Sequence, residues 1–364
     1  MITIVGAGPA GTYLGYLLAK EGKKVIILEN HGIVGKPVQC TGIVTHSIEK
    51  FFKLKKEVIA KRLNKVIVVS KSMKIDVKLD EIVMWRDKFD QFLGDMAQAQ
   101  GVEILLNHEF IGFNGKNLIS VKDKKNNKIK EMKTEAVVGA DGPYSAVAKA
   151  AGMNSSTKNY VGMQAKVRVS DLDGNAFETY FGKEFPNFFG WVVPESDDMA
   201  RIGIGCFENA QDHFYKFLER RTGKKEIVCW ESGLIPLYSP NKIIQKDNVY
   251  LIGDAAAQVK ATTGGGIIPS LKAAYILCDC IVNKKDYSKE FRKNSGRELL
   301  LHLRIRKILN RFSDDDYDKL IGLMDQQKVR NILKKYDRDT PIPLVANLLL
   351  KEPRFLLFGK VLFQ

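Results

Sequence analysis

Three kinds of residue in this chain are placed for chemistry: glycines that admit an anion, acids that receive hydroxyls, and one thiol. Gly6-Ala7-Gly8-Pro9-Ala10-Gly11 follows the apolar run Ile2–Val5 and opens an amphipathic segment. In this G-x-G-x-x-G spacing the first glycine permits a tight turn, the second lets backbone approach a pyrophosphate, and the third lets helix pack on strand. Phosphates then rest on the helix N-terminus, where backbone N–H groups and the helix dipole favour negative charge. Glu29 closes the next apolar run, 21 residues after Gly8, where a carboxylate accepts hydrogen bonds from ribose hydroxyls. A dinucleotide is the ligand that uses all of these features. The thiol is Cys40, within Pro37-Val38-Gln39-Cys40-Thr41-Gly42-Ile43, a stretch of small and turn-forming residues shortly after that acid. It admits two readings, a proton donor or a small packing residue.

Two further stretches end strands with an acid: Ala140-Asp141-Gly142-Pro143-Tyr144-Ser145 and Leu251-Ile252-Gly253-Asp254-Ala255-Ala256. Either one alone reads as a turn capped by Asp. Together with the N-terminal glycines they resemble the flavoprotein family of the glutathione reductase and p-hydroxybenzoate hydroxylase type, over roughly the first three-quarters of the chain. The resemblance implies FAD as cofactor, with Asp254 at the ribityl and pyrophosphate region. It also implies that Arg86, in the R-x-x-F-D motif Arg86-Asp87-Lys88-Phe89-Asp90, contacts FAD; the plainer reading is a solvated residue at a helix start. Gly6, Gly8, Ala10, Gly11, Glu29, Cys40, Thr41, Phe110 and Asp141 complete that cofactor set on the N-terminal side. No second G-x-G-x-x-G is present, so the electron donor arrives from outside: ferredoxin, a quinol or NAD(P)H.

After Asp254 comes Ala261-Thr262-Thr263-Gly264-Gly265-Gly266-Ile267-Ile268, which leads backbone N–H groups and a helix N-terminus toward something flat and anionic, as the N1–C2=O edge of a reduced flavin requires. This T-G-G-G-I run resembles the geranylgeranyl reductase family, whose members saturate isoprenoid chains, and puts Gly264, Gly265, Gly266 and Ile267 beside the flavin. The Pro usual two residues before the Thr-Gly pair is Ala261 here. Phe189-Gly190-Trp191-Val192-Val193-Pro194 resembles that family's Y-x-W-x-F-P motif with Phe for Tyr and Val for Phe, which removes a phenol but keeps Trp191 and Pro194. Pro37-Val38-Gln39-Cys40-Thr41-Gly42 resembles its P-V-x-C-G segment.

The chemistry implied is hydride transfer from flavin N5 to one alkene carbon and a proton to the other. An isolated alkene has no carbonyl to polarise it, and protonation builds positive charge at a tertiary carbon. Cys40 is then the candidate proton donor, and Phe189 and Trp191 offer aromatic faces to a cation. Trp191 as a plain sheet-core aromatic is the competing reading. The substrate expected is an isoprenoid lipid, of archaeal ether-glycerolipid type. The alternatives are a flavin monooxygenase or halogenase of the same superfamily, or a quinone-linked electron-transfer flavoprotein.

These residues need an α/β scaffold. Periodicity predicts strand Ile2–Val5, a helix from Pro9 to about Glu21, and strand Val25–Glu29, one βαβ unit. Short strands follow at Val66–Val69, Ile75–Leu79 and Ile82–Met84, then a helix over Lys88–Gln100, a strand Val102–Leu106, a hairpin around Asn126-Asn127 and a strand Val137–Ala140. From Tyr160 to Ile235 the period is mostly two, broken by a helix near Gln211–Arg221, which predicts an antiparallel sheet. Strand Val249–Gly253 and a helix over Gly266–Ile281 come next. The expected division is a Rossmann-like FAD-binding domain from 1–60, 85–160 and 246–284, a substrate domain from 61–84 and 161–245, and a helical region 285–364.

With 364 residues, 45% hydrophobic, the chain carries more than one typical domain. Its five cysteines form no C-x-x-C pair, and Cys278-Asp279-Cys280 lies in an apolar helical run, so buried thiols in a reducing compartment are expected and no metal site. With a strand starting at Ile2 and no apolar run near 20 residues, neither a signal peptide nor a membrane span is expected. The net charge of +15 suits an anionic surface. Its basic residues (Lys53, Lys55, Lys56; Lys122, Lys124, Lys125, Lys128; Lys224, Lys225) lack the aromatic interleaving that stacks bases, which argues against nucleic acid. The C-terminal part, with Arg297, Arg304, Arg306, Lys307 and Arg311 and then the apolar Pro341–Phe358, reads as an amphipathic segment that lies on a membrane surface or covers the substrate domain. A cytoplasmic protein at a membrane face is the expectation. Val361–Gln364 resembles a protease-cleavage remnant.

Overall fold

The computed structural model describes residues 1–153, 158–169, 171–223 and 227–362; Lys224, Lys225, Phe363 and Gln364 lie outside them. The chain groups into two units. The first gathers Met1–Val38, Arg86–Lys158 and Pro236–Leu300, and the second gathers Gln39–Trp85, Asn159–Ile235 and Leu301–Gln364.

In the first unit six strands form a sheet in the order Gln245–Lys246, Val249–Leu251, Ala136–Gly139, Ile2–Val5, Val25–Glu29 and Glu103–Leu106. Every pair is parallel except the first. Ile2–Val5 and Val25–Glu29 are buried throughout, as expected of strands covered on both faces. Helix Pro9–Lys20 packs against helices Arg86–Ala99 and Ile267–Asn283. A three-stranded antiparallel sheet, His108–Phe113, Leu118–Asp123 and Lys128–Lys133, belongs to the same unit, and Asn127 turns its hairpin at φ +52°.

The second unit is built on an eight-stranded sheet: Ile227–Pro236, Asn159–Arg168, Met199–Cys206, Gly190–Pro194, Ala176–Tyr180, Ile59–Val69, Lys74–Met84 and Ile43–Thr45. The short strands expected between residues 66 and 84 are two eleven-residue strands, each with a buried end and a more exposed one. Ala176–Tyr180 pairs in parallel with Ile59–Val69, so the sheet is mixed. Period-two alternation fixes which face a residue takes but not the direction of the neighbouring strand. Helix Ala210–Thr222 lays Phe214, Phe217 and Leu218 on a core of Val167, Val192, Ile202 and Ile204.

The C-terminal helices include Asp314–Met324, Gln327–Lys335 and Pro341–Lys351, the first opened by a capping box between Ser313 and Asp316. Arg306, expected on a basic amphipathic segment, is 1% exposed, with its guanidinium carbon 4.9 Å from the Phe188 ring centroid and a hydrogen bond donated to the Phe188 carbonyl. Among the described residues no helix is long and apolar enough to cross a membrane.

Candidate functional site

The nucleotide cradle is made almost wholly of backbone. Gly6 sits at φ +103°, and a Cβ there would lie 2.4 Å from the Ala140 carbonyl oxygen. A Cβ on Gly11 would lie 2.0 Å from the Gly6 carbonyl oxygen, so the helix can approach the strand only as glycine. Beyond Gly8's own chain neighbours, no atom of the described residues comes within 4 Å of that position, which leaves the second glycine's face open to a ligand at the helix N-terminus. Ala10 is buried, and a Cβ on Gly253 would lie 3.0 Å from the Ala10 Cβ.

Glu29 is held ready: Oε2 accepts from the Ala7 N–H at 2.8 Å and Oε1 from the His31 N–H at 2.9 Å, while His31 Nδ1 lies 2.6 Å from Oε1. Oε2, with one donor, keeps a further lone pair for a ribose hydroxyl, while His31 occupies Oε1 twice. Asp141 accepts from the Val147 N–H through Oδ2, and its buried Oδ1 has no hydrogen-bond partner among the described residues. Burial pushes the Asp141 carboxyl above its ordinary value, with Ser145 opposing.

Asp254 lies in a short 3-10 turn, Gly253–Ala256, after strand Val249–Leu251. Its Oδ1 would be 3.1 Å from a Cβ on Gly266, so the glycine run brings this acid against the start of helix Ile267–Asn283. Burial raises its carboxyl to about 6, against the attraction of Arg86. Arg86 is bound in a fork by Asp90, Nε to Oδ1 at 3.1 Å and Nη2 to Oδ2 at 2.9 Å, and so is neither a loose nor a solvated helix-start residue. Gly264 takes φ +68° and donates to the Lys260 carbonyl at 2.8 Å, which turns the run into the helix N-terminus beside Gly265 and Ile267. Phe110 is buried on the three-stranded sheet, its ring edge-on to Phe113 at 5.1 Å.

These residues fit FAD. Two glycines that tolerate no side chain, an open helix N-terminus, a pre-oriented ribose acid and a buried carboxylate oxygen in need of a donor are what a dinucleotide's pyrophosphate and hydroxyls would satisfy.

The second constellation stands on the eight-stranded sheet. Phe189, Trp191 and Pro194 are all buried on or beside strand Gly190–Pro194. Phe189 lies 5.8 Å from Trp191, 4.3 Å from Phe188 and 5.7 Å from Phe181, ring centre to ring centre. Cys40 and Thr41 also belong to this unit rather than to the cradle's. Cys40 is partly buried, its Sγ accepting from the Gly42 N–H at 3.4 Å. The Thr41 hydroxyl donates to Gln164 Oε1 at 2.7 Å, and the Trp191 indole N–H donates to the same oxygen at 3.1 Å. The cysteine segment and the tryptophan are thus tied to one amide. Gln164, Arg201 and Glu231 carry no motif; a polar residue inside a period-two strand is the one signal the sequence holds for them.

The chain matches the family model described as "FAD binding domain" over residues 1–215. It is 30% identical to a digeranylgeranylglycerophospholipid reductase of Methanococcus vannielii, over 88% of this chain and 89% of that one. Its fold superposes on a geranylgeranyl bacteriochlorophyll reductase-like protein from Thermoplasma acidophilum with a TM-score of 0.84 at 23% identity, covering 97% and 96% of the two chains. A flavin-dependent halogenase superposes with a TM-score of 0.68 at 15% identity over 97% of this chain and 78% of its own.

Proposed function

Given that this chain belongs to the geranylgeranyl reductase family of FAD-binding oxidoreductases, we propose that it saturates carbon–carbon double bonds of geranylgeranyl chains on archaeal-type ether glycerolipids. The electrons come from an external donor: ferredoxin, a quinol or NAD(P)H. Bound FAD, when reduced, supplies hydride from N5.

The chain's own residues supply the rest. Gly6, Gly8 and Gly11 hold the pyrophosphate, Glu29 the ribose, and the helix N-terminus at Gly266 and Ile267, reached through the turn at Gly264 and Gly265, stabilises negative charge on the ring. Arg86, Asp141 and Asp254 complete the cofactor's polar contacts. Phe189, Trp191 and Pro194 line the prenyl chain, exclude water, and present ring faces worth about 0.5–2 kcal/mol each to developing positive charge. Cys40 gives its thiol proton to the second carbon. The Gly42 N–H loads the sulfur lone pair and leaves the S–H hydrogen uncommitted by that contact.

The observation that carries this reading is the shared amide of Gln164, which couples the thiol's neighbour Thr41 to Trp191 on one sheet face. A buried indole N–H needs an acceptor in any core; here that acceptor also holds the cysteine segment. Peripheral contact with the membrane belongs to the same proposal: Ile342, Leu350, Leu356 and Leu357 are exposed in the C-terminal helices, with Lys351 among them.

Anaerobic incubation of dithionite-reduced protein with digeranylgeranyl glycerolipid, followed by mass spectrometry, tests the assignment. A mass gain of two for each double bond is expected. An unchanged lipid, with flavin that stays reduced, overturns it.

A further inference from the structure

Four strands of the large sheet converge on Gln164. Its strand, Asn159–Arg168, pairs with Met199–Cys206 so that Gln164 stands opposite Gly203, and Gly203 in turn stands opposite Trp191. A Cβ on Gly203 would lie 2.5 Å from Trp191 Cζ2 and 2.6 Å from Gln164 Cβ. The glycine is therefore what allows an indole to reach across a whole strand and donate to Gln164. On the far side, Gln164 Nε2 donates to Glu231 Oε2 at 2.5 Å from strand Ile227–Pro236.

Glu231 is one of the two carboxylates of a largely buried charge array. Arg201 Nε lies 3.2 Å from Glu231 Oε2, and its Nη2 donates to Oε1 at 3.3 Å. Arg201 Nη1 lies 2.8 Å from Glu195 Oε1, and Lys166 Nζ lies 2.8 Å from Glu195 Oε2. Arg201 Nη1 also donates to the Thr41 carbonyl at 3.2 Å. Two cations face two carboxylates, and Arg201, Glu195 and Glu231 have side chains less than a tenth exposed. Charges so deep are costly to bring in from water, and breaking one pair strands its partner.

The amide has one orientation open to it. Turned over, its oxygen would face the Glu231 carboxylate and its NH2 group would face two donors, the Thr41 hydroxyl and the Trp191 indole N–H. Burial raises the Glu231 carboxyl above its ordinary value while Arg201 and Gln164 oppose, and in its ionised form it fixes which end of Gln164 faces Thr41 and Trp191. With its proton committed to Gln164, the Thr41 hydroxyl turns only lone pairs toward its surroundings.

We propose that Gln164 and Glu231 are positioning residues for the reduction: the Glu231 carboxylate orients the Gln164 amide, and that one oxygen holds the Cys40-Thr41 segment and the Trp191 ring in fixed relation. The proposal rests on the reading that Cys40 and Trp191 act on the prenyl chain.

Gln164→Glu separates positioning from mere packing because it conserves shape. The new carboxyl must share a proton with Glu231 where an N–H···O bond now stands. While that proton is present, Thr41 and Trp191 keep their acceptor. When it leaves, two carboxylates oppose each other in a place faced by Arg201 and Glu195, with Lys166 on the other oxygen of Glu195, and the anchor opens. The variant's kcat is expected to fall about tenfold or more relative to wild type at the same pH as pH rises through the shared titration, with KM moving far less. Gln164→Leu is expected to lose a similar factor at every pH. The exchanged pair Gln164→Glu/Glu231→Gln restores one carboxyl next to one amide and is expected to recover the wild-type profile.

A second readout needs no substrate: the Trp191 indole N–H resonance, identified by its loss in Trp191→Phe, shifts and exchanges faster in Gln164→Leu and, at high pH, in Gln164→Glu. Superimposable pH profiles for wild type and Gln164→Glu, or an exchanged pair no better than the single variant, overturn the proposal. If wild type leaves the lipid unchanged while the indole resonance responds as described, the lipid reading fails and the anchor stands. An indole resonance indifferent to Gln164 removes the anchor itself.

Discussion

The cradle and the sheet face solve the same problem, holding groups still, with opposite materials. Around Gly6–Gly11 the positioning is done by main chain over six consecutive residues, with one distant acid, Glu29, pinned by Ala7 and His31. Around Gln164 it is done by side chains from residues 41, 164, 191, 201 and 231, which meet only because four strands and a loop are aligned. The first fails when an atom is added. The second fails when a proton or a hydrogen bond is moved.

Gly11→Ala is the harshest test of the cradle. Its Cβ overlaps the Gly6 carbonyl, and the purified protein is expected to be colourless, with flavin absorbance lost and the Trp191 indole resonance unmoved. Cys40→Ala strikes the other region. It should keep bound FAD and lose about 10²–10⁴-fold in alkene saturation, the usual worth of a positioned acid, measured as product per turnover under anaerobic conditions. Retention of full turnover would leave the thiol as packing.

Asp254→Asn brings an electrostatic effect into the backbone-built region. The Asp254 carboxyl titrates near 6 in the fold, above its ordinary value because burial disfavours its charge. The folded state therefore holds that proton more tightly, and the stability cost of ionisation is absent below about pH 4 and complete above about pH 6, up to about 3 kcal/mol. Denaturation midpoints of the apoprotein should fall over that range in wild type and fall less in Asp254→Asn. Gly203→Ala should destabilise by about 1–3 kcal/mol through overpacking against the indole, with FAD retained, read by denaturant titration. Smallest of all, Phe189→Leu should slow saturation by the equivalent of about 0.5–2 kcal/mol, the value of one ring face.

The same contrast governs what was legible. Strands Ile2–Val5 and Val25–Glu29 and the helix from Pro9 agree with their expected limits, since a glycine turn between apolar runs dictates its own geometry. The strand Ile43–Thr45 was not foreseen: three residues carry no period, and they are a strand only because Lys74–Met84 lies alongside. Arg306, expected on a basic amphipathic segment, and Arg201, which no motif marks, are both buried, because a guanidinium's surroundings are set by residues far along the chain. Arg86 was identified as a functional position, but its fork with Asp90 was not, although i and i+4 on a helix share a face.

What the sequence by itself determined is the FAD-binding α/β fold and the backbone cradle, because glycine spacing, an apolar period and a terminal acid are local facts with one local geometry. Tertiary structure alone decided that a threonine, a glutamine, a tryptophan, an arginine and a glutamate would form one hydrogen-bonded array. Strand register brings those side chains within bonding distance, and register is fixed by which strands pair, a choice that no single stretch of residues contains.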